Sequence, residues 1–141
     1  MTRTRSLAAA AVLAASLLSA VPTAAPASAD PVADPPYVAR AVWAKWGDLN
    51  SLRVYPTPAG RATSAVPGTI AQGDEAWREV LALAPDADVP GMRAQFLCHW
   101  QFAETAQPGK TSWNLEPWRP EVDDATMFTT RCNPGGTEEP F

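Results

Sequence analysis

Residues Pro90–Pro120 read PGMRAQFLCHWQFAETAQPGKTSWNLEPWRP, and the fold turns on how they are read. They hold the chain's one histidine, one of its two cysteines and three of its six tryptophans. Pro90 to Ala106 is predicted to be a helix. Pro90 suits a first helical position, where no N–H is needed, and Pro108-Gly109 suits an end. At about 100° per residue, Met92, Phe96, Trp100 and Ala103 form one stripe, which Cys98 and Phe102 widen. Arg93, Gln101, Glu104 and Thr105 fall on the polar side. So wide an apolar arc implies packing on two sides. Gln95 and His99 lie inside that arc, four residues apart and so stacked. Buried without partners, each would cost about 1–3 kcal/mol. They must therefore meet polar groups from elsewhere, with the Arg53–Arg61 and Asn114–Arg119 segments as the expected sources. Two outcomes stay open: a satisfied core network that fixes helix docking, or a pocket with His99 as its titrating member.

Upstream, Arg3 and Arg5 precede an uncharged Ala/Leu-rich run from Leu7 to Val21, followed by Ala27-Ser28-Ala29. That is the pattern of a secretory signal peptide, residues 1–29, removed on export. The run is shorter than the roughly 20 residues that span a bilayer, and no later stretch qualifies. The expectation is a secreted, extracellular protein of 112 residues with no stable membrane insertion. With Arg3 and Arg5 gone, 9 basic and 15 acidic residues remain, a net charge of −6. An acidic chain without a Lys/Arg cluster argues against nucleic acid as a partner. In an oxidising compartment Cys98 and Cys132 read as one disulfide, closing a loop of roughly 35 residues.

Residues 30–36 (DPVADPP) are expected to form a flexible leader, 37–136 a single α+β domain and 137–141 a flexible tail. YVARAVWAKW (Tyr37–Trp46) admits a helix or a strand. The turn cluster Gly47–Asn50 and the alternation in Ser51–Tyr55 favour a β-hairpin. Pro56–Gly68 has too many Pro and Gly for regular structure. Asp74–Ala84 is a helix with Asp74 able to cap and Trp77, Val80, Leu81 and Ala84 as its stripe. Trp113–Leu115 is short and extended. Asp123–Cys132 is a short helix capped by Asp123 or Asp124 and stopped by Asn133–Gly136. The fold class is α+β: a small antiparallel sheet or hairpin packed with two or three helices, with one disulfide.

YPTPAGR (Tyr55–Arg61), PGMRAQFLCHWQFA (Pro90–Ala103), WNLEPWRP (Trp113–Pro120) and CNPG (Cys132–Gly135) together resemble a family of secreted bacterial proteins, domain of unknown function 2599. The resemblance covers roughly Val38 to Gly136. It implies a secreted single-domain protein and no particular activity.

Motifs with chemistry mostly fail their requirements. Pro108-Gly109-Lys110-Thr111 looks like the end of a phosphate-binding loop, but the glycine needed five residues before Gly109 is Glu104. Cys98 and His99 are helix neighbours about 100° apart and cannot pair directly. One histidine and two bonded cysteines leave only carboxylates for a metal, and Asp123-Asp124 are better explained as capping residues. No metal site and no cofactor are expected. Glu104 and Glu116 could form a glycosidase pair, against Glu104 on a solvated face and Glu116 paired with Arg119. Trp113 and Trp118, in a Pro-flanked polar segment, are expected to be partly exposed, and Trp77 and Trp100 to be core. The candidate binding residues are Arg61, Gln95, His99, Trp113, Asn114, Glu116, Trp118 and Arg119. No residue is assigned a catalytic role. The function expected is a non-enzymatic extracellular binding or interaction module, with a cell-envelope glycan or another extracellular protein as partner. The alternative is a small secreted hydrolase acting on a cell-envelope or extracellular polymer.

Overall fold

A computed structural model describes residues 32–136. The expected signal peptide and the 137–141 tail lie outside the described residues. The hairpin is present: β1 (Val38–Trp46) and β2 (Leu49–Pro56) pair antiparallel across the Gly47-Asp48 turn. Alternation sends Leu52 and Val54 to one face and Arg53 and Tyr55 to the other. The third strand, β3 (Trp113–Leu115), joins β2 on its far side, with Leu115 opposite Leu52 and Trp113 opposite Val54. The sheet order is therefore β1-β2-β3. All four of those apolar side chains are buried and face the helices. On the outer face the Arg40 guanidinium lies over the Tyr55 ring, 3.8 Å from its centroid, a cation–π pair between residues opposite in register.

Four helices follow the hairpin: α1 (Pro58–Ser64), α2 (Ile70–Leu83), α3 (Met92–Ala106) and α4 (Asp124–Thr129), with a 3₁₀ turn at Pro85–Ala87. The fold is the expected α+β class, with more helix than expected. The first helix falls in the stretch expected to be irregular. Thr57 caps it by accepting the Gly60 N–H at 2.9 Å, and Pro58 occupies its first turn, where a proline is preset for helix. Gly60 is there for closeness: a Cβ would stand 2.2 Å from the Tyr37 carbonyl oxygen. The second helix begins at Ile70, a turn before the expected start, so Asp74 is not its cap. Gly73 is inside it because Trp100 packs there; a Cβ would meet the indole at 3.0 Å. Near its middle, Glu79 accepts the Tyr37 and Val38 N–H groups at 2.8 and 2.7 Å and ties α2 to the start of β1.

The central helix starts at Met92 after Gly91, which takes φ 83° as its cap, so Pro90 is not the first helical residue. It packs on two sides, as the width of its arc requires. Phe96 and Trp100 face the main core, where ring centroids stand 5.6 Å (Phe96–Trp77), 5.9 Å (Phe96–Trp113) and 5.5 Å (Trp100–Tyr37) apart. Cys98 faces a smaller cluster with Met127, Cys132 and Val122. The Cys98–Cys132 disulfide pins that cluster, holding the segment after α4 to the middle of α3. At α4, Asp123 is the cap, accepting the Thr126 N–H at 2.8 Å. The helix ends at Thr129, earlier than expected, for a reason that returns below. Phe102 departs from the expected arc: it is exposed at 37% and stacks edge-on with Phe128, itself 59% exposed.

Candidate functional site

The candidate residues divide into a closed cluster, an outlying ion pair and an open groove. The closed cluster gathers around Glu116, just after β3. Its side chain is fully buried. One carboxylate oxygen accepts the Ser51 hydroxyl at 2.9 Å and the other accepts Arg119 Nε at 2.6 Å. Arg119, 3% exposed, also donates from Nη1 to the carbonyls of Pro134 and Gly136 at 3.1 and 2.8 Å. Gln95 completes the arrangement. Its amide nitrogen donates to the Glu116 carbonyl and its amide oxygen accepts the Glu116 N–H, both at 2.9 Å. A side-chain amide thus pairs with the main chain as a neighbouring strand would. This is the satisfied core network left open in the sequence, and the Asn114–Arg119 segment is its source.

The other residues of that segment are also spent on packing. Trp113 is 1% exposed, contrary to expectation, because β3 sets it into the core against Phe96 and Trp100. Its indole N–H has no hydrogen-bond partner among the described residues. Asn114 is buried, accepts the Ser112 hydroxyl at 2.7 Å and stands opposite Arg53 in the sheet. Trp118 is half-buried, as expected. Its N–H reaches the Asn50 carbonyl at 3.1 Å and its ring lies 4.5 Å from the Arg119 guanidinium carbon.

Arg61 is not with them. It bonds Glu104 at 2.5 Å and the Lys110 carbonyl at 2.6 Å, clamping α1 to the end of α3. Glu104 also accepts the Gly109 N–H at 3.0 Å. It is therefore a half-buried ion-pair partner rather than a solvated residue.

His99 belongs to a third place. It is 4% exposed, and Nδ1 donates to the Gln95 carbonyl one turn back at 2.8 Å. Its other side meets an open groove of about 750 Å³ between the last turns of α3 and the end of α4. Phe102, Ala106, Lys110, Phe128 and Arg131 are among the groove's lining residues, and no described residue lining it is acidic. Sequence reasoning missed this groove. Its signal was the pair Phe102 and Phe128, apolar residues at positions that neither helix stripe needs.

Among the described residues no three His, Cys, Asp or Glu side chains group as a metal site, and no helix is long and apolar enough to cross a membrane. Burial pushes the Tyr37 phenol above its usual value, with Asp34, Glu79 and Glu75 adding to the shift. The Thr126 hydrogen bonds hold the Asp123 carboxyl below its usual range.

Residues 38–135 match the model of a protein family of unknown function, DUF2599. The chain belongs to this family. Uncharacterized proteins of Mycobacterium tuberculosis and Mycobacterium bovis are each 61% identical to it over 107 residues, 76% of this chain and 72% of theirs. An uncharacterized protein of Mycobacterium leprae is 53% identical over 103 residues, 73% of this chain and 83% of its own. No solved structure matches. The match to DUF2599 begins at the first residue of β1 and ends three residues past Cys132, so the hairpin, the Glu116 cluster and the disulfide all lie within it. The relatives carry no named activity, so none passes to this chain from them.

Proposed function

We propose that this DUF2599 protein is a secreted, extracellular binding module that acts without catalysis. The observation that carries the reading is the Glu116 carboxylate, fully buried with both oxygens bonded. Hydrolysis of a glycan by paired acids needs two carboxyl groups flanking the bond. Glu104, the other candidate acid, is held by Arg61 and the Gly109 N–H. Neither acid meets a polymer in solvent. The basic n-region, apolar run and small-residue cleavage site in residues 1–29 support export. The partner is a cell-envelope glycan or another extracellular protein.

A hydrolase reading has one supporting feature, His99 at the edge of the groove. Two measurements separate the readings. Purified protein is screened for turnover of glycan, ester and peptide substrates, and no turnover is expected. Turnover that disappears in His99→Ala, with the melting temperature unchanged, replaces the binding module with a hydrolase. Intact mass of protein from the culture medium is expected to begin at Asp30. A full-length chain found in the membrane fraction instead removes secretion from the proposal.

A further inference from the structure

The end of α4 carries an arginine where the backbone favours glycine. Beyond the cap residue Thr130, the Arg131 N–H bonds the Phe128 carbonyl and the Cys132 N–H bonds the Met127 carbonyl, each at 3.0 Å. Those are the two bonds of a Schellman motif, whose first residue past the cap is left-handed and most often glycine. Here it is Arg131 at φ 54°, followed by Cys132 at φ 66°. Both hold a conformation that L side chains resist. The disulfide to Cys98 accounts for Cys132. Packing does not account for Arg131, which is exposed. Non-glycine residues held in this region collect at ligand clamps and active sites.

Arg131 lines the groove beside His99. The exposed Phe102–Phe128 pair, ring centroids 5.0 Å apart, forms a ridge along one side. Beyond the ridge is a second hollow, lined in part by Ile70 and Met127. The whole chain has 15 acidic and 11 basic residues, yet this groove has only basic charges, Lys110 and Arg131, in its lining. The ends of α3 and α4 each bring about half a negative charge, and two full positive charges exceed them.

We propose that this surface docks a protein segment carrying an apolar anchor flanked by carboxylates. The anchor lies against the Phe102–Phe128 ridge, and a carboxylate takes the Arg131 guanidinium through paired hydrogen bonds. The walls are helices with their own backbone bonds made, so recognition runs through side chains, as for a helix laid in a groove. A saccharide fits less well. The two rings meet at 63° and offer no continuous flat platform, and the lining has no carboxylate to accept sugar hydroxyls. This inference rests on the binding-module reading above.

The test titrates the isotope-labelled protein, followed by NMR, to millimolar Glu-Glu-Phe-Glu-Glu with blocked ends. Ser-Ser-Phe-Ser-Ser and oligogalacturonate serve as comparators. The acidic peptide is expected to shift the Phe102, Phe128 and Arg131 amides, and the serine peptide to bind more weakly. Arg131→Gly is expected to keep or raise the melting temperature while weakening the acidic peptide roughly fivefold, the upper end for an exposed ion pair. Arg131→Lys should recover part of the binding. Unshifted groove amides, or equal binding by Arg131→Gly, overturn the proposal. Shifts from oligogalacturonate alone overturn the protein partner and leave the binding module standing. Turnover of any probe overturns the binding module itself.

Discussion

The two polar regions beside α3 differ in what they leave available. Toward β3, Gln95, Glu116, Arg119 and Ser51 bond one another in a space closed to solvent. Toward α4, exposed phenylalanines and an exposed arginine flank an open groove. The closed region has the residue types of an active site and the geometry of a core. The open region has unremarkable residue types, one of them in an unfavourable backbone conformation. Polar side chains inside an apolar helical arc thus mark the interior first. A candidate site is better sought where apolar or strained residues stay exposed without a structural reason.

The comparison breaks most directly at Glu116. Glu116→Ala leaves the Arg119 charge buried without its carboxylate, and breaking such a pair costs about 3–5 kcal/mol. Urea unfolding should show that loss, and the double replacement Glu116→Leu with Arg119→Met should restore much of it. A cost under about 1 kcal/mol, as for exposed pairs, would mean that the cluster is open to water.

Reducing the disulfide acts on the other region. The expected loss is about 2–4 kcal/mol, with amide protection lost around α4 and retained near Gln95. Loss of protection at Gln95 to the same degree would show that the two regions unfold as one.

Gln95→Leu should cost about 1–3 kcal/mol, because the Glu116 N–H and carbonyl lose their buried partners. A neutral result would mean that water or a shifted backbone replaces the amide.

The smallest effect is at Asp123. Its carboxyl is held below the usual range by Thr126, so it stabilises the fold above its unfolded pKa. That contribution fades as pH falls through the lower, folded value. Asparagine caps a helix without titrating. Asp123→Asn should therefore keep the melting temperature near neutrality and flatten its decline in acid. An identical acid profile would remove the cap from the account.

Much of this was legible in the sequence. The hairpin, the two-sided central helix, the short third strand, the Asp123 cap and the cysteine pair follow from periodicity, turn residues and compartment. Three features did not follow, each for a physical reason. Gly60 and Gly73 read as helix breakers, whereas each is glycine because another element comes too close for a Cβ. That hid α1 and shortened α2. Trp113 read as half-exposed from its Pro-flanked neighbours, but three residues of strand pairing were enough to set it into the core. The end of α4 was assigned to Asn133–Gly136 because those are the usual stop residues, while the backbone stopped it at Arg131 and Cys132. For the site, the Gln95–Glu116 network was legible because a buried amide demands partners. The groove was not, since nothing in the sequence demands that Phe102 and Phe128 stay uncovered.

The Glu116 cluster also constrains the order in which the chain can assemble. Its bonds join Ser51 in β2, Gln95 in α3 and, through Arg119, the carbonyls of Pro134 and Gly136. Sequence separations of 65, 21, 15 and 17 residues must all close before the carboxylate is fully paired. Local helices form in microseconds, whereas long-range closures come later. A chain that emerges from its amino end can build the hairpin and α3 early, but it carries a charged glutamate at the edge of its core until residue 136 arrives. Completion of this fold is therefore a late event in the chain's synthesis or export. A chain lacking its last described turn would expose an unsatisfied arginine and glutamate to whatever quality control surveys it.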